Sequence, residues 1–270
     1  MKRWTRDERA VSETLGYIII FGVVVSGIVM VFLIGSQIID STQESASFQS
    51  IEQSFNVIGS DIRSTAFQES PMMTTRIKVD YGSLGMLPDN RSGSRVIISD
   101  SSGNVINDTP LGILTFNSAV YGKSIALENG ALVKKYDANG SYSSIMSLQP
   151  RIFYSNSTKT LMVTLINLKG DYSAYSGGVD NIQSQYLDSG ISSQVLATPV
   201  VRFNVRTNYT GAWNDYFMNA LPYASKNLDT TGDISQWTNI TISFDKYPDG
   251  SPDSRPLELM IITYDIGIRI

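Results

Sequence analysis

Apolar positions along this chain are concentrated near its start. From Thr14 to Ile39 there is no charged residue, and Tyr17 to Ile34 is apolar apart from Gly22, Ser26 and Gly27. A helix crossing a bilayer needs roughly 20 apolar residues at about 1.5 Å rise each, so this run predicts one membrane-spanning helix. No second run of this kind follows it. Lys2, Arg3, Arg6 and Arg9 precede it with Asp7 and Glu8, and Asp40 and Glu44 are the first charges after it. Because basic residues are retained on the cytoplasmic side, the N-terminus is expected inside and everything beyond Asp40 outside.

The pattern then becomes polar but keeps a helical period. Phe48, Ile51, Phe55, Ile58 and Ile62 recur at intervals of three and four residues, with Gln49, Ser50, Glu52, Gln53 and Asp61 between them. That spacing is the apolar stripe of an amphipathic helix. Proline is first met at Pro71, so the helix is expected to run on from the apolar segment and to end near Gln68 to Ser70. Its length would approach ~90 Å. The stripe either docks on the chain's own globular part or forms a seam with sister subunits, and too few heptads are visible to favour the seam.

Beyond Pro71 the period shortens to that of strands. Ile77, Val79 and Tyr81 alternate, and Arg95–Ser99 leads through Asp100-Ser101-Ser102-Gly103-Asn104 to Val105-Ile106, which predicts a hairpin. Further strands are expected at Ile113–Asn117, Ser124–Leu127, Ala131–Tyr136, Arg151–Tyr154, Thr160–Leu168, Val200–Thr207, Asn239–Phe244 and Glu258–Ile270. One short helix is expected at Ala212–Leu221, with Trp213, Phe217 and Leu221 buried on one face or forming an aromatic patch for a ligand. The fold class is therefore α+β: a long N-terminal hydrophobic and amphipathic helix, then an antiparallel β-sandwich-like head with one short helix. The parts are a charged leader at 1–10, a spanning helix at 11–39, its amphipathic continuation at 40–70 and a β-rich head at 71–270.

Composition narrows the function. The 270 residues include no cysteine and no histidine, which excludes disulfides, thiol nucleophiles, Cys/His zinc sites and histidine acid-base chemistry. A net charge of −4 gives nucleic acid no basic footprint, so no nucleic-acid partner is expected. No phosphate-cradling glycine loop, paired carboxylates or serine elbow is found, so no catalytic residue, cofactor or metal is assigned and the chain reads as a non-enzyme. Asp137-Ala138-Asn139-Gly140-Ser141 resembles the start of a calcium loop without its closing glutamate and reads as a turn. Asp245, Asp249 and Asp253 read as a solvated acidic loop rather than a cation site. Six Asn-x-Ser/Thr sequons, at Asn90, Asn107, Asn139, Asn156, Asn208 and Asn239, are candidate glycosylation sites in turns.

One stretch before the apolar run carries a resemblance. Arg9-Ala10-Val11-Ser12-Glu13-Thr14-Leu15-Gly16, a basic residue, a small one, then an apolar helix with a carboxylate in its first turn, resembles the class III signal of archaeal type IV pilins and pilin-like proteins. Ser54–Ile62, and also Tyr209–Phe217, are similar to an archaeal family of pilin-like membrane proteins of unknown function. The resemblance implies a cut between Ala10 and Val11 by a prepilin-type peptidase, with the helix kept. Glu13 would be the third mature residue, where many archaeal relatives carry proline. It serves either assembly or the headgroup interface, where a carboxylate in the first helical turn is favoured by the macrodipole. Gly22 and Ser26, four residues apart, would allow close helix packing. The implied partners are the membrane, the peptidase, sister pilin subunits, a platform protein and an assembly ATPase. The implied role is a surface filament or pseudopilus subunit with a possible part in adhesion. The alternative is a single-pass anchored module whose head binds a cell-surface glycan or solute.

Overall fold

The structure is a computed structural model that describes every residue except 1–7, 69, 119–121, 139–140, 222–223 and 230–235; the side chains of 8–14, 37, 40–41, 137–138 and 141–142 are also outside the description. The chain forms two units, Met1–Ser47 and Phe48–Ile270. Their division falls inside the first helix, α1 (Glu8–Gln68), which is continuous over 61 residues and ends three residues before Pro71, as the proline predicts. Within the first unit the apolar side chains from Leu15 to Ile39 are exposed.

The second unit contains the last turns of α1 and three sheets. The first sheet orders β1 (Met73–Val79), β12 (Gly178–Leu196), β16 (Leu257–Arg269), β10 (Thr160–Lys169) and β9 (Ile152–Ser155). A second orders β11 (Ser173–Tyr175), β2 (Gly82–Leu87), β5 (Ile113–Ser118), β6 (Ser124–Glu128), β7 (Ala131–Ala138) and β8 (Ser141–Leu148). The third orders β14 (Ser225–Asp229), β15 (Trp237–Ser243), β13 (Val200–Arg206), β3 (Ser94–Ser99) and β4 (Val105–Leu111). A strand-rich unit after an apolar helix is the α+β arrangement read from the pattern. The expected all-antiparallel pairing is corrected at one place, because β10 and β16 run parallel from Thr160↔Glu258 to Lys169↔Gly267. They are far apart in the chain, so no hairpin forces them antiparallel.

The hairpin of β3 and β4 closes on Asp100, whose carboxylate accepts the Ser102 and Asn104 N–H groups at 2.8 and 2.9 Å. Five strands, β2, β8, β11, β12 and β14, carried too weak an alternation to be read from the sequence. In β2 the two glycines hide the pattern, yet a Cβ on Gly82 would stand 2.4 Å from the Asn117 carbonyl oxygen, so the pairing with β5 requires a glycine there. A four-residue helix, α2 (Asp89–Ser92), was also unread. The expected helix near Ala212 is α3 (Thr210–Asn219), and Leu221 lies just past its end, buried with a φ of 57°. Trp213, Tyr216 and Phe217 are buried together, with Phe217 5.2 Å from Phe203 between ring centroids, so this patch is core.

Two apolar clusters form this core. The five residues of the α1 stripe, Phe48, Ile51, Phe55, Ile58 and Ile62, are all buried in one of them, and Ala66 extends the stripe by a turn. They meet Ile77 and Val79 of β1, Leu84 and Met86 of β2, Phe116 of β5 and Ile266 and Ile268 of β16. Gly59 lets the helix approach closely, since a Cβ there would lie 3.0 Å from Leu127 and 3.1 Å from Leu148. Arg63 ties the same turns down by donating to the Gly130 carbonyl at 2.9 and 3.1 Å and to the Gln149 carbonyl. With the stripe buried inside the unit, the seam reading loses the residues it needed. Phe55→Ala is expected to cost about 3–5 kcal/mol of unfolding free energy by denaturant titration, whereas Val57→Ala, on the exposed side of the same turn, changes it by less than about 0.5 kcal/mol.

Candidate functional site

The chemistry of α1 is set by what its first half exposes. Leu15–Ser36 is long and apolar enough to cross a membrane, and none of its apolar window is buried. Each large apolar side chain left in water forgoes about 1.5–3 kcal/mol of burial, so this segment suits an apolar surrounding better than water. Among the described residues it is the single helix of this kind. Ser26 donates its hydroxyl to the Gly22 carbonyl at 2.7 Å, which satisfies its polar group inside the helix. A Cβ on Gly22 would meet nothing, so the face carrying Gly22 and Ser26 is open. The side chains of Arg9, Ala10, Val11 and Glu13 lie outside the described residues.

Among the described residues the strand-rich unit buries two ionisable side chains that the sequence did not single out, Glu128 and Lys159. Glu128, at the end of β6, is fully buried and accepts the Thr207 hydroxyl at 2.7 Å on Oε2. Its Oε1 has no hydrogen-bond partner, and the neighbouring Trp213 Nε1 is also unpaired. Burial raises its pKa from 4.5 to about 7, against weaker opposing effects of Thr207, Ser94 and Trp213. The second group is Lys159, buried in a turn with a φ of 52°. Its Nζ donates to the Asp253 carbonyl at 2.8 Å and lies 3.3 Å from the Asp253 carboxylate. Arg255 grips that carboxylate with Nε at 3.0 Å and Nη2 at 2.8 Å, and reaches the carbonyls of Asn156 and Ser157. The Arg255 guanidinium, followed by Lys159, holds the Asp253 carboxyl well below the usual carboxylate range.

Asp253 thus corrects the reading of a solvated acidic loop, because it is buried and neutralised by two cations. Asp249 instead accepts the N–H and hydroxyl of Ser251. Among the described residues no three acidic side chains gather as metal ligands. Asp137 lies outside the described side chains, and Asn139 outside the described residues.

The sequons differ in their surroundings. Asn90, in α2, and Asn208, in the bend before α3, are exposed. Asn156 is half-buried in the turn that Arg255 holds, with a buried Oδ1 lacking a partner. The expectation of turns is corrected for Asn107 and Asn239, which lie within β4 and β15. There the Asn107 Oδ1 accepts the Thr109 hydroxyl at 2.7 Å, and the Asn239 Oδ1 accepts Asn204 Nδ2 at 2.8 Å. A strand interior fixes both amides.

An open groove of about 500 Å³ lies on the first sheet beside the end of α1, lined by Phe67, Arg151, Phe153, Met162, Ile262 and Tyr264. Arg151 stacks over the Phe67 ring at 4.7 Å, and Phe67 meets Tyr264 edge-on at 5.6 Å. These groups can hold an apolar or planar ligand face, and no nucleophile with an adjacent base is among them.

Residues 9–247 match a family of unknown function, DUF7289. The chain belongs to this family. The match takes in α1 from its second residue and most of the strand-rich unit. The chain is also similar to an uncharacterised protein of Archaeoglobus fulgidus, with 28% identity over a 213-residue alignment; the match covers 63% of this chain and 68% of that protein. No solved structure matches.

Two outcomes follow from the buried and exposed polar groups. A carboxyl whose pKa is raised on folding stabilises the fold below the unfolded value of 4.5, and that contribution is lost as pH rises towards about 7. Unfolding measured from pH 4 to 8 should therefore show the native chain losing about 3 kcal/mol relative to Glu128→Gln, which keeps the shape without the charge. In a host that glycosylates these sequons, mass spectrometry of glycopeptides should find sugar on Asn90 and Asn208 and none on Asn239; sugar on Asn239 with Asn90 and Asn208 bare would contradict the assignment.

Proposed function

We propose that this chain is a membrane-anchored, extracytoplasmic subunit of type IV pilin character, a structural component of a surface filament or pseudopilus. The observation that carries this reading is the single exposed apolar segment, Leu15–Ser36, on a helix whose later turns, Phe48 to Ala66, are locked into a strand-rich unit. An anchor that must leave lipid and enter a bundle of like helices needs an apolar surface with no partner in its own chain, and this segment has one. The resemblance at Arg9 to Gly16 supports removal of a leader before Val11, with Glu13 near the new amino terminus. The excess of basic residues before the segment supports a cytoplasmic start and an external strand-rich unit. Sister subunits, a prepilin-type peptidase, a platform protein and an assembly ATPase are the partners that go with this role.

The groove beside Phe67 favours a second reading, an anchored module that binds a glycan or solute through aromatic and arginine contacts. The two readings separate at the amino terminus. Chain extracted from its native membrane and analysed by N-terminal sequencing should begin at Val11, and Arg9→Ala with Ala10→Leu should block that cut. A mature chain that keeps Met1 removes the pilin reading and leaves the binding module.

A further inference from the structure

The second half of β12 is an edge without protection. β1 pairs with β12 only from Gly178 to Ser184, while β16 pairs with it as far as Leu196. Among the described residues no other strand bonds to the far edge of β12 from Gly190 to Leu196, the Ser189 N–H donating to the Asp188 carboxylate, and every residue from 187 to 195 is exposed. The other outer strands carry the usual safeguards against edge pairing. β1 has Arg76 and Lys78, β4 has Asp108 and Pro110, β14 has Lys226 and Asp229, β9 and β11 are four and three residues long, and β8 is packed by α3, where Ser144 accepts the Ala212 N–H. In β12 the single bulge, between Tyr186 and Asp188, and the single charge of this half, Asp188, both precede the open run.

The open run Ser189-Gly190-Ile191-Ser192-Ser193-Gln194-Val195-Leu196 has neither charge nor proline. Ile191 and Val195 lie on one face, 73% and 68% exposed, beside Ile262 and Glu258 of β16. That face continues through Ile262 into the groove at Met162 and Phe153. An uncharged edge offers nothing to a charged peptide. It does fit itself. Laid antiparallel on a second copy about a two-fold axis at Ser193, Ile191 meets Val195 of the copy, Ser192 meets Gln194, and Gly190 meets Leu196. The apolar pair then repeats on both sides of the axis, and no carboxylate faces another, which matters for a chain of net charge −4.

We propose that two copies of this chain pair through β12, antiparallel from Gly190 to Leu196 with Ser193 on the two-fold axis, joining the first sheets of both copies into one continuous sheet. Backbone hydrogen bonds supply the attraction and the Ile191–Val195 contacts set the register. The pairing is independent of how the amino terminus is processed.

The absence of cysteine allows a direct test on the full chain in detergent. Opposed residues of an antiparallel pair have Cα atoms about 4.5–5.5 Å apart, within reach of a disulfide. Ser193→Cys should therefore cross-link to a covalent dimer under mild oxidation at least tenfold faster than two controls. These are Asn208→Cys, exposed elsewhere, and Ser189→Cys, on the same edge but roughly 26 Å from its own copy in this register. Adding Ile191→Lys to Ser193→Cys should return the rate to that of the controls, and circular dichroism and thermal unfolding would show that this exposed substitution leaves the fold intact. Equal rates for Ser193→Cys and Asn208→Cys, faster linking at Ser189→Cys, or a rate unaffected by Ile191→Lys would each overturn the proposal.

Discussion

The strand-rich unit is organised around the burial of one helical face. Phe48, Ile51, Phe55, Ile58, Ile62 and Ala66 are enclosed by strands of the first two sheets, and Gly59 and Arg63 hold the helix close to β6, β7 and β8. This burial explains why the first sheet is covered on opposite faces at its two ends. Leu161, Val163 and Leu165 of β10, with Leu257, Leu259 and Ile261 of β16, join the cluster that includes the third sheet and α3. Farther along the same strands Ile166, Leu168, Ile266 and Ile268 point to the other side and join the α1 cluster. Strand side chains alternate, so a pair of parallel strands can serve two cores only by changing which parity is covered. Where α1 ends, at Gln68, the face it covered is left open, and the groove and the free edge of β12 lie on that uncovered part.

The same helix requires two environments. From Phe48 to Ala66 its apolar stripe is buried by strands, while from Leu15 to Ser36 the apolar residues are exposed all round. A helix with an apolar stripe packs on one surface, and one that is apolar on every side needs an apolar solvent. The two patterns meet within a continuous element, without a proline or a break in the hydrogen bonding to separate them.

The buried charges of the strand-rich unit are structural in their contacts. Lys159, Asp253 and Arg255 join the turn after β9 to the loop before β16. Glu128 differs, because Thr207 satisfies one oxygen and leaves the other unpaired in the core. That arrangement suits a neutral carboxyl, in keeping with the upward push that burial gives its pKa. Neither feature was visible in the sequence. A glutamate after an apolar strand and a lysine in a Ser/Thr-rich turn both read as solvent-facing, and only the packing of distant strands removes water from them.

The sequence by itself determined the features that depend on local order. Tyr17 to Ile34 is apolar on every face, the stripe from Phe48 to Ile62 keeps the period of a helix, and Pro71 ends it; these are properties of neighbouring residues and need no tertiary context. Strands with buried alternation, such as β3, β10 and β15, were legible for the same reason. Tertiary structure decided what depends on residues far apart. It made β10 and β16 parallel, placed Asn107 in a strand, paired Asp253 with Lys159 and extended β12 through a segment of Ser, Gly and Gln that has no apolar period to announce it. That segment is a strand because β16 supplies its hydrogen bonds, a long-range contact with no local signal, and its uncovered edge is likewise a property that only the assembled sheet possesses.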